Sequence, residues 1–188
     1  MQKLSNPKNH FYANRLPAPL DKRAFVQLPK NSPPYAPDLN ATVSDYLFCL
    51  PYDLGQFYLC LQLMLPFIKE HPTQVRLVIH QSLYPLVREL DPSHLYPILI
   101  TELDQHQFPT SETLLALLQQ PYKVAVDFNY PSLATTTFLV AKACARYRIG
   151  LQSLYAEELF NVVIACNGEN SLENAYQRIR QLILTQFA

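Results

Sequence analysis

From Asp45 onward the chain repeats a pattern that few folds accommodate: short, nearly continuous apolar runs separated by helix-length segments. The runs are Asp45 to Leu50 (DYLFCL), Val75 to His80 (VRLVIH), Tyr96 to Thr101 (YPILIT) and Tyr122 to Phe128 (YKVAVDF). Each has strand length, and a strand apolar on both faces has to be covered on both faces. Gln56 to Glu70 between the first two reads as a mostly apolar helix that Pro72 stops, and Ser82 to Leu90 as a shorter one. Thr110 and Ser111 offer capping hydroxyls ahead of the LLALLQQ helix, and Pro131 stands where a small-residue helix over Ser132 to Arg146 can begin. YRIGL and NVVIA are short final strands, and the last helix sets Leu172, Ala175, Tyr176, Ile179, Leu182 and Ile183 along one face. Strands alternating with helices make βαβ units, whose right-handed crossovers place helices on both sides of the sheet. The expected fold is a single Rossmann-like three-layer α/β domain with a mostly parallel sheet, over residues 41–188.

Residues 1–40 follow other rules. Pro17, Pro19, Pro29, Pro33, Pro34 and Pro37 remove amide donors and fix φ, so an extended proline-rich arm is expected. Six basic residues against two acidic ones give the arm +4, which leaves −4 for the rest of a chain whose formal net charge is zero. Phe11, Tyr12, Phe25, Val26 and Leu28 are more large apolar groups than a linker needs, and they suggest an arm laid across its own domain or a partner. Arm charge could equally meet an acidic partner, an anionic membrane surface, RNA or only solvent. The four cysteines (Cys49, Cys60, Cys144 and Cys166) show no paired metal spacing, and they fit a reducing cytoplasm. Tyr58 to Ile68 is the longest greasy segment, short of the roughly 20 residues a membrane span needs. No apolar leader opens the sequence, so a protein that does not span a membrane is expected.

Ligands of parallel sheets bind beyond the carboxyl ends of the strands. That places candidate sites at Pro51–Gln56, His80–Ser82, Thr101–Asp104 and Asp127–Asn129. Gly55 follows a strand and precedes a helix, where a turn can approach a phosphate or simply be tight. Asp127 and Asn129 end the fourth strand, suited to a ligand or to capping the next helix. His80 is the best-placed histidine for acid–base work, or else packing. Arg146 and Arg148 could contact an anion; the simpler reading is a surface strand edge protected by charge. No Walker loop, zinc pattern or RNA-binding motif appears, so no metal, cofactor or nucleic acid is expected.

Two stretches carry a family resemblance. YKVAVDFNYPSLATTTFLVAKACARYRIGLQSLYAEELFNVVI resembles the end of the first domain of heptosyltransferase-like (family 9) glycosyltransferases, with Tyr147–Arg148–Ile149–Gly150 and Tyr155–Ala156–Glu157 in matching places. LFCLPYDLGQFYLCLQLMLPFIKEH resembles that family's opening strand, Leu-Gly turn and first helix. The resemblance implies two Rossmann-like domains, a donor bound mainly by the second, and a Leu-Gly-Asp base in the first turn. This chain has length for one such domain, and its turn reads Leu54–Gly55–Gln56. A neutral amide takes no proton from an acceptor hydroxyl, and Asp53 is the one nearby substitute base. The expected function is therefore a non-catalytic binding or scaffold protein on a glycosyltransferase-like half domain, linked to cell-envelope or surface-polysaccharide assembly. Its partner would be another protein or a second copy, with Gly55, Gln56, His80, Asp127 and Asn129 as ligand-binding candidates. Two alternatives stay open. One is the acceptor half of an active transferase completed by a partner chain; the other is a regulator that binds a nucleotide, sugar nucleotide or sugar phosphate.

Overall fold

A computed structural model describes residues 19–20, 22–27, 45–166 and 171–186. Six parallel strands form one sheet: β1 (Tyr46–Cys49), β2 (Val75–His80), β3 (Leu95–Ile98), β4 (Pro121–Asp127), β5 (Cys144–Leu151) and β6 (Val162–Ile164). Their order across the sheet is β3-β2-β1-β4-β5-β6, the doubly wound Rossmann order. Every neighbouring pair is parallel, so the sheet is wholly rather than mostly so.

Alternation along β1 divides the core into two. Tyr46 and Phe48 face α2 (Leu54–Glu70) and α6 (Ser171–Gln186), meeting Phe57, Met64, Phe67, Tyr176 and Ile179. Leu47 and Cys49 face the opposite layer, where α3 (Glu112–Leu117), α4 (Ala134–Lys142) and α5 (Ala156–Leu159) bring Leu114, Leu117, Leu139, Val140 and Ala156. The last helix buries Ala175, Tyr176, Ile179 and Ile183, with Leu172 and Leu182 half-buried beside them, which is the face its spacing predicts. Phe48 meets the ring of Phe128 edge-on at 5.6 Å and 89°; such a pair contributes about 0.5–1.5 kcal/mol beyond its buried area.

Several boundaries differ from the sequence reading. The segment after β2 coils as a 3-10 helix over Gln81–Val87, with Pro85 inside it, instead of an α-helix to Leu90. Strand β3 stops at Ile98, because Ile100–Glu102 turns as another 3-10 helix. Helix α4 ends at Lys142, since Ala143 is extended and Cys144 and Ala145 pair with Pro121 and Tyr122. Sheet pairing overrides helix propensity there. Nor does Pro131 start that helix, which is entered through Leu133. β5 lies between β4 and β6, but β6 pairs only with Ile149–Leu151. Beside Arg146 and Arg148 the Asn161 side chain bonds their main chain, and Arg148 Nη1 donates to Ala141 O at 2.9 Å, tying off the end of α4.

The arm is described only in part, and its boundary near residue 40 lies outside the described residues, as do Lys3, Lys8 and Arg15. Pro19 bridges Leu133, and Leu20 N donates to Ser132 O at 2.9 Å. The expectation of a wholly extended arm fails at α1 (Lys22–Gln27), whose Phe25 is buried and stacks on Tyr155 with centroids 3.9 Å apart. Phe108 and Ala134 complete that cluster, so this part of the arm packs on its own domain. Among the described residues, no helix is long and apolar enough to cross a membrane.

Candidate functional site

The crossovers from β1 and β4 leave on opposite faces, which opens a crevice between the carboxyl ends of these two strands. Asn129 crosses its floor. Its Oδ1 accepts from Tyr52 N at 2.9 Å, just past β1, while Nδ2 lies 3.2 Å from Leu50 O, 2.9 Å from Asp127 Oδ1 and 3.2 Å from Thr136 Oγ1. Asp127 is the hub beneath it, only 2% exposed. Its carboxyl accepts from Asn129 N at 3.1 Å, Thr136 Oγ1 at 3.2 Å and Thr137 Oγ1 at 2.9 Å. Burial raises the Asp127 pKa, and the bonds from Asn129, Thr137 and Thr136 oppose that rise. These contacts tie the end of β4 to the first turn of α4. Tyr176 O–H adds a bond to Phe128 O at 2.6 Å from α6.

One wall of the crevice is the start of α2. Asp53 is its N-cap, with Oδ1 accepting from Gln56 N at 3.0 Å. Gly55 is already inside the first helical turn and outside the left-handed region, so it supplies no phosphate-wrapping loop between strand and helix. The Gln56 side chain reaches across to the loop after β4, donating through Nε2 to Tyr130 O and accepting through Oε1 from Tyr130 N at 3.1 Å. The Tyr130–Pro131 bond in that loop is cis. His80 closes the end of β2. Its Nδ1 accepts from Ser82 N at 3.2 Å, capping the 3-10 helix, and its ring meets Tyr52 edge-on at 4.4 Å. Burial lowers the His80 pKa.

Together these elements shape a cleft of about 740 Å³. Leu54, Tyr58, Leu83, Leu86, Tyr130 and Leu133 give it a mostly apolar lining, with Asp53, Gln56, Ser82 and Asn129 as polar members. Among the described residues, no lining side chain is basic, and the one acidic group caps a helix. Hydrogen bonds to a neighbouring main chain occupy both ends of the Gln56 amide. Such a surface suits apolar and aromatic groups. Among the described residues, its lining has none of the cationic side chains that usually hold a phosphate. Among the described residues, no three His, Cys, Asp or Glu side chains gather as a metal site.

Of the residues singled out from sequence, Asp53, Gln56 and Asn129 line this cleft. His80 lies against a separate cavity of about 20 Å³ shared with Gln107 and Thr135. Asp127 sits below the floor. Sequence reasoning missed Tyr58, Leu86 and Leu133 as lining groups, and missed Thr136 and Thr137 as partners of Asp127. The run Thr135–Thr136–Thr137 was the available signal, since three β-branched polar residues at a buried helix start need acceptors. No protein-family model, curated protein or solved structure matches the chain.

Proposed function

We propose that this domain is a non-catalytic binding module that receives an apolar or aromatic surface of another protein chain at the β1–β4 crevice. The pairing of Gln56 with Tyr130 carries the reading. At the position where the glycosyltransferase resemblance implies a catalytic carboxyl, this chain has a neutral amide, and its hydrogen-bonding atoms are already engaged. Asp53, the candidate substitute base, serves the helix start. The apolar lining, with no cation among the described residues, favours a protein surface over a sugar nucleotide. Four unpaired cysteines fit a reducing compartment, and the cytoplasm is the location we infer. The resemblance supplies the setting, assembly of the cell envelope or of surface polysaccharide.

Incubation of the full chain with a panel of nucleotide sugars and acceptors tests this. The expected outcome is no glycosyl transfer and no ligand-induced rise in melting temperature. Transfer would overturn the reading in favour of the acceptor half of an active enzyme. A melting shift with nucleotides or sugar phosphates alone would overturn it in favour of a regulator.

A further inference from the structure

Four of the exposed large hydrophobic residues cluster around the mouth of the crevice: Leu54 at 50%, Tyr58 at 53%, Leu86 at 43% and Tyr130 at 40% exposure. They continue along α2. No side chain from Leu54 to Ile68 is charged, although only Phe57, Cys60, Met64, Phe67 and Ile68 are buried against the sheet. Leu54 and Tyr58 line the crevice one helical turn apart, Leu65 recurs at helical spacing on the same face, and Leu61 between them is half-buried against the core. A helix face left in water ordinarily carries charge, and a helix apolar nearly all round is ordinarily covered.

We infer that a second copy of this chain covers this face, α2 pairing with α2 across a two-fold axis; the inference rests on the binding reading above. A two-fold interface sets a patch against itself, so any net charge inside it would meet its own sign. This patch has none. Charge stands only at its ends: Glu70 is the last helical residue, and Asp53 capping the first turn and Lys69 in the last turn are the opposite pair. At 1.5 Å per residue they are roughly 24 Å apart along the helix. An antiparallel pairing at a shallow crossing angle brings each Asp53 toward the other copy's Lys69 and opposes the two helix dipoles. Leu86 and Tyr130 widen the contact beyond one helix. The surface is thus complementary to itself, and it offers a strongly acidic or basic partner nothing to read.

Sedimentation of the full chain over a wide concentration range tests the pairing. The expected species is a dimer whose melting temperature rises with concentration. Tyr58→Glu, which sets two like charges into the contact, should weaken it about thirtyfold or more while leaving the circular dichroism unchanged. Should that variant not fold, Leu54→Lys takes its place. Lys69→Glu should weaken the dimer a few-fold at low salt and less at high salt, and equal affinity at low salt would overturn the antiparallel arrangement. Leu154→Glu, at an exposed position remote from α2, should leave the dimer intact. A monomer at every concentration, a dimer that survives Tyr58→Glu, or one that only Leu154→Glu breaks would each overturn the inference. A monomer that also transfers no sugar removes the dimer and leaves the binding reading standing; transfer by a dimer does the reverse.

Discussion

The side-chain amide of Gln56 engages the main chain of Tyr130 in both directions, Nε2 donating to its carbonyl and Oε1 accepting from its N–H. Only a carboxamide supplies a donor and an acceptor in this fork. The contact spans the crevice from the first turn of α2 to the loop after β4, so it sets the spacing of the two walls. A residue that looks like a lost catalytic acid in sequence is thus a clasp in the structure.

Replacing Gln56 with Glu keeps the acceptor for Tyr130 N and removes the donor, leaving a carboxylate oxygen against the Tyr130 carbonyl oxygen. A loss of about 1–2 kcal/mol is expected, and about 1 kcal/mol for Gln56→Ala, since the contact is solvent-accessible. Chemical denaturation of the two variants measures this. If Gln56→Glu is as stable as the wild type, the amide is not acting as a clasp.

Asn129 makes a more deeply buried version of the same kind of link, joining Leu50 and Tyr52 on one strand end to Asp127 on the other. Asn129→Ala leaves Tyr52 N without this acceptor and removes one of the donors that hold Asp127. The expected cost is about 2–4 kcal/mol, more than for Gln56→Ala, because the site is buried. The variant should also lose hydrogen-exchange protection at Tyr52 N and Asn129 N before the rest of the sheet does. A uniform loss across all strands would show that Asn129 serves general stability and not the crevice.

Much of the sheet was legible because its strands are buried on both faces: DYLFCL and YKVAVDF have no other plausible use, and their alternation with helices orders them in parallel. Strand ends were legible as the place for a site for the same topological reason. What sequence could not show was the role of each polar group there. Asp127, Asn129 and Gln56 all suit a ligand by chemistry, and only the fold places Thr136, Thr137 and the Tyr130 backbone close enough to engage them. Cys144 to Arg146 read as helix because Ala-rich local sequence says so, whereas their pairing with β4 is a long-range fact. Tyr58 and Leu86 were invisible as site members, since an exposed apolar residue on an apolar helix has the same pattern as a buried one.

Gly150 gives a test of packing between β5 and Phe160. A Cβ at this position would lie 2.1 Å from the Phe160 ring, closer than any neighbour can tolerate. Gly150→Ala therefore forces the ring or strand β5 to move, at about 1–3 kcal/mol. Phe160→Leu in the same background should recover part of that loss, although alone it destabilises. A double-mutant cycle by denaturant melts reads the coupling, and strictly additive effects would show that the clash is relieved some other way.

His80 makes stability depend on pH in a direction its geometry sets. Nδ1 must keep its lone pair to accept from Ser82 N at 3.2 Å, with Ser82 Oγ 2.8 Å from the same nitrogen. Protonation there removes the acceptor that starts the 3-10 helix and so loosens the Leu83–Leu86 wall of the cleft. Burial holds the folded pKa below the ordinary 6.5, so on acidification the unfolded chain takes up its proton first. The contribution of His80 is therefore complete above about pH 6.5, declines as the pH falls through the lowered folded value, and is level below it. His80→Asn retains a capping acceptor but does not titrate in this range. Denaturation curves at a series of pH values from about 7 to about 5 should show the wild type losing more stability than His80→Asn. Parallel slopes would mean that His80 is not the group responsible.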